Sequence, residues 1–137
     1  MALVSSKGMY GLAAMYELHL LKSAKPVQIK AISQNAEIPQ NYLEQLLGLL
    51  KKAGLVTSVR GAYGGYTLAK DSRDISIKEI FVALEGDLNI VDSEIKNPAL
   101  ALFYKEKTTE LEAIFDMSLA DLSKYQQIVS RQICYSI

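Results

Sequence analysis

A mainly α-helical chain with one small β-hairpin is what this sequence predicts, and three observations predict it. Apolar residues recur at helical spacing along most of its 137 positions. Between Val27 and Lys52 a short helix, a tight turn and a second helix follow one another. Directly after them, Leu55 to Leu68 reads as a hairpin with a glycine-rich, arginine-led tip. That order of parts is a winged helix-turn-helix, which sets one helix in a major groove with the hairpin beside it. A long apolar-striped helix remains towards the C-terminus. The expected division is therefore a winged helix-turn-helix domain over residues 1–86, a connection over 87–98, and a dimerisation helix with a tail over 99–137.

Each element has its own justification. A first helix is expected from Ser6 to about Ser23, and Tyr10, Leu12, Ala13, Met15, Tyr16, Leu18, His19 and Leu20 leave it little polar face, so it should be mostly buried. Lys25-Pro26 marks a turn. Val27, Ile29 and Ile32 give the apolar side of a short helix around Gln28–Gln34, which Asn35-Ala36-Glu37 interrupts. Pro39 suits the first turn of the next helix, where a missing N–H costs nothing. From there Tyr42, Leu43, Leu46, Leu47 and Leu50 form one stripe, and Gly54 stops the helix. Its other face carries Gln40, Asn41, Glu44, Gln45, Gly48, Lys51 and Lys52. In the hairpin, Leu55, Val56 and Val59 lead into Arg60-Gly61-Ala62-Tyr63-Gly64-Gly65, and Tyr66, Thr67 and Leu68 return. Glycines at such a tip let the backbone approach another backbone closely, such as a phosphate chain. Ser76-Ile77-Lys78-Glu79 is a capping box opening a helix through Leu84, with Gly86 as its stop. Asp87 to Asn97 is acidic and irregular. Pro98 starts the long helix, about Ala99–Met117, and Ser118-Leu119-Ala120-Asp121 starts a short final helix or docked tail.

Composition narrows the function. Half the residues are hydrophobic, which supports a packed core and speaks against disorder. No apolar run approaches the roughly 18–20 residues that cross a bilayer, and Met1-Ala2-Leu3-Val4 lacks the basic start of a signal peptide, so no membrane association is expected and the chain is read as cytoplasmic. A single cysteine excludes an intrachain disulfide. The formal net charge is zero, yet residues 1–73 hold nine Lys/Arg against four acids, and residues 74–137 hold six against eleven. The half with the wing is the basic half, suited to phosphates.

Enzyme readings find no support: no phosphate-loop signature, no nucleophile elbow and no ligand-spaced His/Cys/carboxylate cluster is present. Asn41, Glu44 and Gln45, near the start of the second helix of the pair, are the base-reading candidates, since Asn and Gln pair with adenine and Glu accepts from cytosine. Lys7, Gln28, Lys51, Lys52, Arg60 and Tyr63, with the amides of Gly64 and Gly65, are the candidates for the DNA backbone. On the long helix Leu100, Phe103, Tyr104, Leu111, Ile114 and Phe115 share a side. That stripe needs cover from the first helix, a partner subunit or both, and it is assigned to a dimer seam because two half-sites one helical turn apart require two subunits.

The runs YLEQLL, KKAGLVTSVRG and GGYTLAK, followed by ISIKEIFVALEG, strongly resemble the Rrf-two type of bacterial regulators. SSKGMYGLAAMYELHL and SLADL fit it as well, so the resemblance spans nearly the whole chain. It implies a homodimeric, sequence-specific transcription regulator of the bacterial cytoplasm, here taken as a repressor acting on a palindromic double-stranded operator, and the three base-reading positions match those the family uses. Many members bind an iron–sulfur cluster through three cysteines before the dimer helix. Here Asp87 to Leu102 contains no cysteine, and such clusters are held chiefly by thiolates. Asp87, Asp92 and Glu94 read as solvated loop charges, His19 as a core or half-buried histidine, and no metal or other cofactor is expected. The signal should then be a small effector or a protein partner at the dimer helix, or chemistry at Cys134. Arg131 lies three residues from that thiol and invites a redox reading, beside the simpler one of an incidental tail thiol. The competing function is a winged-helix module for protein–protein contact, or a partner-dependent regulator.

Overall fold

Local capping rules and apolar spacing give six helices and one hairpin in the computed structural model, which describes residues 2–22 and 25–136. The helices are α1 (Ser6–Leu21), α2 (Ile29–Ala36), α3 (Gln40–Lys52), α4 (Ile77–Glu85), α5 (Pro98–Ile114) and α6 (Ser123–Ser136). The strands β1 (Val56–Val59) and β2 (Gly65–Leu68) pair antiparallel, Val56 opposite Leu68 and Val59 opposite Gly65. Short 3-10 turns occupy Ser72–Asp74 and Leu119–Leu122.

α1 runs through the centre and packs on α2, α3 and α4. Its first turn is capped by one residue next to it in sequence and by one 80 positions away. Ser5 accepts the Lys7 N–H at 3.2 Å, while the Glu85 carboxylate receives the Ser5 N–H, the Ser5 hydroxyl and the Gly8 N–H at 2.9, 2.6 and 2.9 Å. A carboxylate among unpaired helix N–H groups is favourable on both hydrogen-bond and dipole grounds. α1 ends at Leu21 with Lys22 left-handed, two residues short of the expected end at Ser23, which lies outside the described residues. Its burial is narrower than its composition predicts: Ala14, Met15, Leu18 and His19 are buried, whereas Met9, Leu20 and Leu21 are exposed.

α2 extends to Ala36, so the helix-turn-helix bend falls at Glu37, which is left-handed and donates its N–H to the Ser33 carbonyl. α3 buries Leu43, Leu46, Leu47 and Leu50, and Gly54 takes the positive φ that follows its last turn. The Ser76–Glu79 capping box forms in full, at 3.0 and 2.9 Å, and α4 buries Ile77, Ile80, Phe81 and Leu84. Together with Ile32, Ile38, Val56 and Ile75 these residues make one core.

Beyond α4, residues 87–97 are irregular and pinned by buried Leu88. Asn97 caps α5 by accepting the Ala99 and Leu100 N–H groups. No residue of α5 is buried within the single chain. The helix stops three residues earlier than the expected Met117, because the following residues return to the body. The Phe115 and Met117 carbonyls accept the Lys78 and Ile77 N–H groups at 2.9 and 2.8 Å, the Leu119 N–H reaches the Ile75 carbonyl at 2.7 Å, and Leu119 is fully buried.

Candidate nucleic-acid interface

α3 presents two faces because its period is 3.6 residues. The leucine face is buried; the opposite one carries Asn41, Glu44 and Gln45, all exposed, at the three- and four-residue spacings that put them on one face. Gly48 continues that strip with nothing within 4 Å of the place where a Cβ would stand, and exposed Lys51 and Lys52 close it. At the other end, the Tyr42 hydroxyl lies 3.2 Å from the Ser6 hydroxyl, and its ring meets Tyr10 edge-on at 5.8 Å. These contacts bring the first turn of α1, with exposed Lys7, beside the start of α3.

The wing stands next to this strip. Arg60, Gly61, Ala62 and Tyr63 are exposed at its tip, Tyr63 to 93 %. The hairpin is fastened to the start of α2 by a bridge from Val27, which exchanges backbone bonds with Tyr66 at 2.9 and 2.8 Å. Gln28, Lys30, Lys51, Ser58 and Arg60 share a groove of about 480 Å³ between α2, the end of α3 and the wing. Lys30 was absent from the sequence-derived set, although a cation in the first turn of α2 was visible as a signal. None of the ion pairs among the described residues uses Lys30, Lys51 or Arg60.

Three of the expected DNA-backbone contacts show a further geometry in the free chain. The Gly64 N–H is given to the Gly61 carbonyl at 3.0 Å, so in the free chain it is not open to a phosphate. The two adjacent glycines have a packing reason as well: a Cβ at Gly64 would stand 2.1 Å from the Val59 carbonyl oxygen, and one at Gly65 2.3 Å from that of Val27. Gln28, expected on the DNA backbone, donates its side-chain N–H to the Ala62 carbonyl at 3.1 Å.

Of the expected seam residues, Leu100, Phe103 and Ile114 are exposed, Ile114 to 65 %, while Tyr104 and Leu111 are half-buried. Phe115 does not belong with them. α5 ends at Ile114, so the Phe115 ring turns to the body and meets Phe81 edge-on at 5.1 Å. Sequence reading also passed over Leu102, exposed on the far side of α5. Of the two alternatives for the C-terminal segment, a short final helix or a docked tail, the helix is present as α6, and Tyr125, Ile128, Val129 and Ile133 are exposed on it.

Cys134 is exposed on α6. His19 is 4 % exposed, its Nδ1 2.9 Å from the Ser72 hydroxyl and its Nε2 3.0 Å from that of Ser123. Burial holds its pKa below the ordinary histidine value, with Lys22 acting in the same direction and Asp71 opposing. The donor set does not fit an iron–sulfur cluster: the 87–102 segment offers only oxygen ligands in exposed Asp87, Asp92 and Glu94, and both ring nitrogens of His19 are engaged elsewhere.

An exposed reading helix, a braced wing and a cationic groove define a winged-helix, DNA-binding transcription regulator. Comparison with known proteins narrows the class. A family model described as Rrf2, iron-dependent transcriptional regulator, matches residues 4–128. The HTH-type transcriptional regulator CymR of Bacillus subtilis is 38 % identical over 124 residues, 89 % of this chain and 90 % of CymR. IscR of Escherichia coli is 44 % identical over 86 residues, 63 % of this chain and 53 % of IscR, so that match spans about half of IscR's length. The solved structure of CymR (YrzC), described as the global cysteine regulator of B. subtilis, superposes with a TM-score of 0.79 at 37 % identity, covering 91 % of this chain and 98 % of that one. That of T. potens IscR gives 0.74 at 37 % identity, covering 90 % and 87 %. This chain belongs to the Rrf2 family of transcription regulators. No helix among the described residues is long and apolar enough to cross a membrane.

Proposed function

We propose that this protein is a homodimeric, sequence-specific repressor of the bacterial cytoplasm that binds a palindromic operator without an iron–sulfur cluster. The observation that carries the reading is the strip Asn41–Glu44–Gln45 exposed on α3, flanked on one side by the wing and on the other by Lys7. In this reading residues 1–86 form the DNA-binding unit, 87–98 the connection and 99–137 the dimerisation part, with Leu100, Phe103, Tyr104, Leu111 and Ile114 along the seam. Base edges are read by Asn41, Glu44 and Gln45; Lys7, Lys30, Lys51, Lys52, Arg60 and Tyr63 grip the phosphates. The operator-binding state is then shifted by a small effector or a protein partner at the dimer helix, which must bind two conformations unequally to have any effect.

The test is an anisotropy titration against the promoter region of the chain's own gene between 50 and 200 mM salt (about the range over which counterion release is strong). Six to ten phosphate contacts per dimer would give a slope of log K against log salt near about −5 to −9. Gln45→Ala and Asn41→Ala should each weaken specific binding by about 1–3 kcal/mol and leave non-specific binding nearly unchanged. A slope indistinguishable from zero would remove DNA binding and leave a protein-interaction module; equal losses on both DNAs would make these residues backbone contacts.

A further inference from the structure

The tip of the wing lies beyond its last paired residues, Val59 and Gly65. One backbone bond closes the turn there, from the Gly64 N–H to the Gly61 carbonyl. A tip tied only in that way would sample many conformations, and ordering it on DNA would subtract from affinity. A second tether comes from outside the hairpin. Gln28, 34 residues earlier, donates Nε2–H to the carbonyl of Ala62 at 3.1 Å.

Gln28 is the N-cap residue of α2 yet makes no side-chain cap bond. Short Ser, Thr, Asp and Asn side chains are preferred at that position because they turn back onto the first N–H groups. The longer amide of Gln28 reaches across to the wing instead. Its own backbone is fixed for that reach, since the adjacent Val27 is bridged to Tyr66 on both sides. Gly65 permits the close approach, with the Val27 carbonyl where a Cβ would otherwise be. The arrangement ties the start of the helix-turn-helix to the wing at two points, by backbone at β2 and by one side chain at the tip.

We propose that Gln28 is a positioning residue: it clamps the wing tip to α2, so that Arg60 and Tyr63 are held ready for DNA before DNA arrives. The use of the clamp rests on the DNA-binding reading above, whereas the clamp itself is a property of the free protein. Gln28 carries no charge, and the cations of the groove, Lys30, Lys51 and Arg60, remain when it is replaced. Its removal therefore changes how well the wing is placed and not how many counterions are released.

Gln28→Met keeps the side-chain length and removes the donor. In the DNA-free full chain, amide exchange at Gly64, whose bond closes the same turn, should quicken about threefold to tenfold while α1 and α3 amides keep their rates. DNA affinity should fall by a similar factor on specific and non-specific DNA, with an unchanged salt slope. In an Arg60→Ala/Tyr63→Ala background, where the tip has nothing left to position, Gln28→Met should cost no further affinity. An unchanged Gly64 exchange rate overturns the clamp. A loss that persists in full in the double background overturns it too, and makes Gln28 a direct DNA contact. If the wild-type chain binds no DNA, the repressor reading falls, and the exchange measurement alone decides the clamp.

Discussion

Replacing Gly65 by Ala tests how the wing is held. A Cβ there would sit 2.3 Å from the Val27 carbonyl oxygen, 2.5 Å from its carbon and 2.9 Å from the Gln28 nitrogen, all backbone atoms. No rotamer relieves such a contact, so strand and bridge must separate by roughly an ångström to restore van der Waals distance. Separation loses the two bonds between Val27 and Tyr66, each worth about 0.5–1.5 kcal/mol net. Gly65 also has φ +151, a region L side chains populate at a cost of about 1–3 kcal/mol. The sum is roughly 2–6 kcal/mol, and a chain of this size should lose several degrees of melting temperature for each 1–2 kcal/mol. Thermal unfolding followed by circular dichroism, at one fixed protein concentration because a dimer's stability depends on it, should show a fall of about 10 °C. DNA affinity should drop at least about tenfold, since a detached wing no longer presents Arg60 and Tyr63. Gly48→Ala is the matched control. That site is helical and open, so the same added methyl should stabilise by about 0.5–1 kcal/mol. The reasoning is refuted if the two alanine variants melt alike, or if Gly65→Ala binds DNA as the wild type does.

Three further outcomes follow from the same geometry. Ile114 is largely exposed in the single chain, so Ile114→Glu should leave a folded protein whose dimer dissociates at least about a hundredfold more readily, because an unpaired charge is costly to bury; sedimentation unchanged on dilution would move the interface elsewhere. Anaerobic reconstitution with iron and sulfide should leave the protein colourless, without stoichiometric iron and with unaltered DNA affinity; charge-transfer absorption would show that the oxygen ligands of residues 87–102 and His19 assemble a site after all. His19, buried and held below its ordinary pKa, favours the neutral form in the folded state. The unfolded chain takes up the proton first as pH falls, so stability present above about pH 6.5 is lost as pH drops towards the lower folded value. Urea unfolding between pH 7.5 and 5.5 (roughly one unit either side of that value) should show a steeper loss for the wild type than for His19→Gln, and equal slopes would count against the assignment.

The parts legible in the sequence are those whose rules act within a few residues. The leucine stripe of α3 has to face inwards, and Asn41, Glu44 and Gln45 outwards, because a 3.6-residue period leaves no other arrangement. Ser76 and Glu79 form their capping box from residues three apart, and Arg60 to Gly65 can only be a tight return between two strands. The apolar stripe of α5 was legible in the sequence, but not where the helix ends. Phe115 keeps the spacing of the stripe, yet α5 terminates before it because the Phe115 and Met117 carbonyls bind α4.

Legible in the sequence were the class of fold, the inward and outward faces of α3, the basic wing half and the lack of thiolates in residues 87–102, since apolar periodicity, capping chemistry and ligand identity are local. Tertiary structure alone decided the rest. Glu85 caps α1 from 80 residues away, Gln28 meets Ala62 across 34, and His19 meets Ser123 across 104. Nothing near these residues in the chain announces such partners, because a hydrogen bond between distant segments exists only once the core between α1, α3 and α4 has brought them together. Each buried or half-buried polar group then takes the partner that burial leaves within reach.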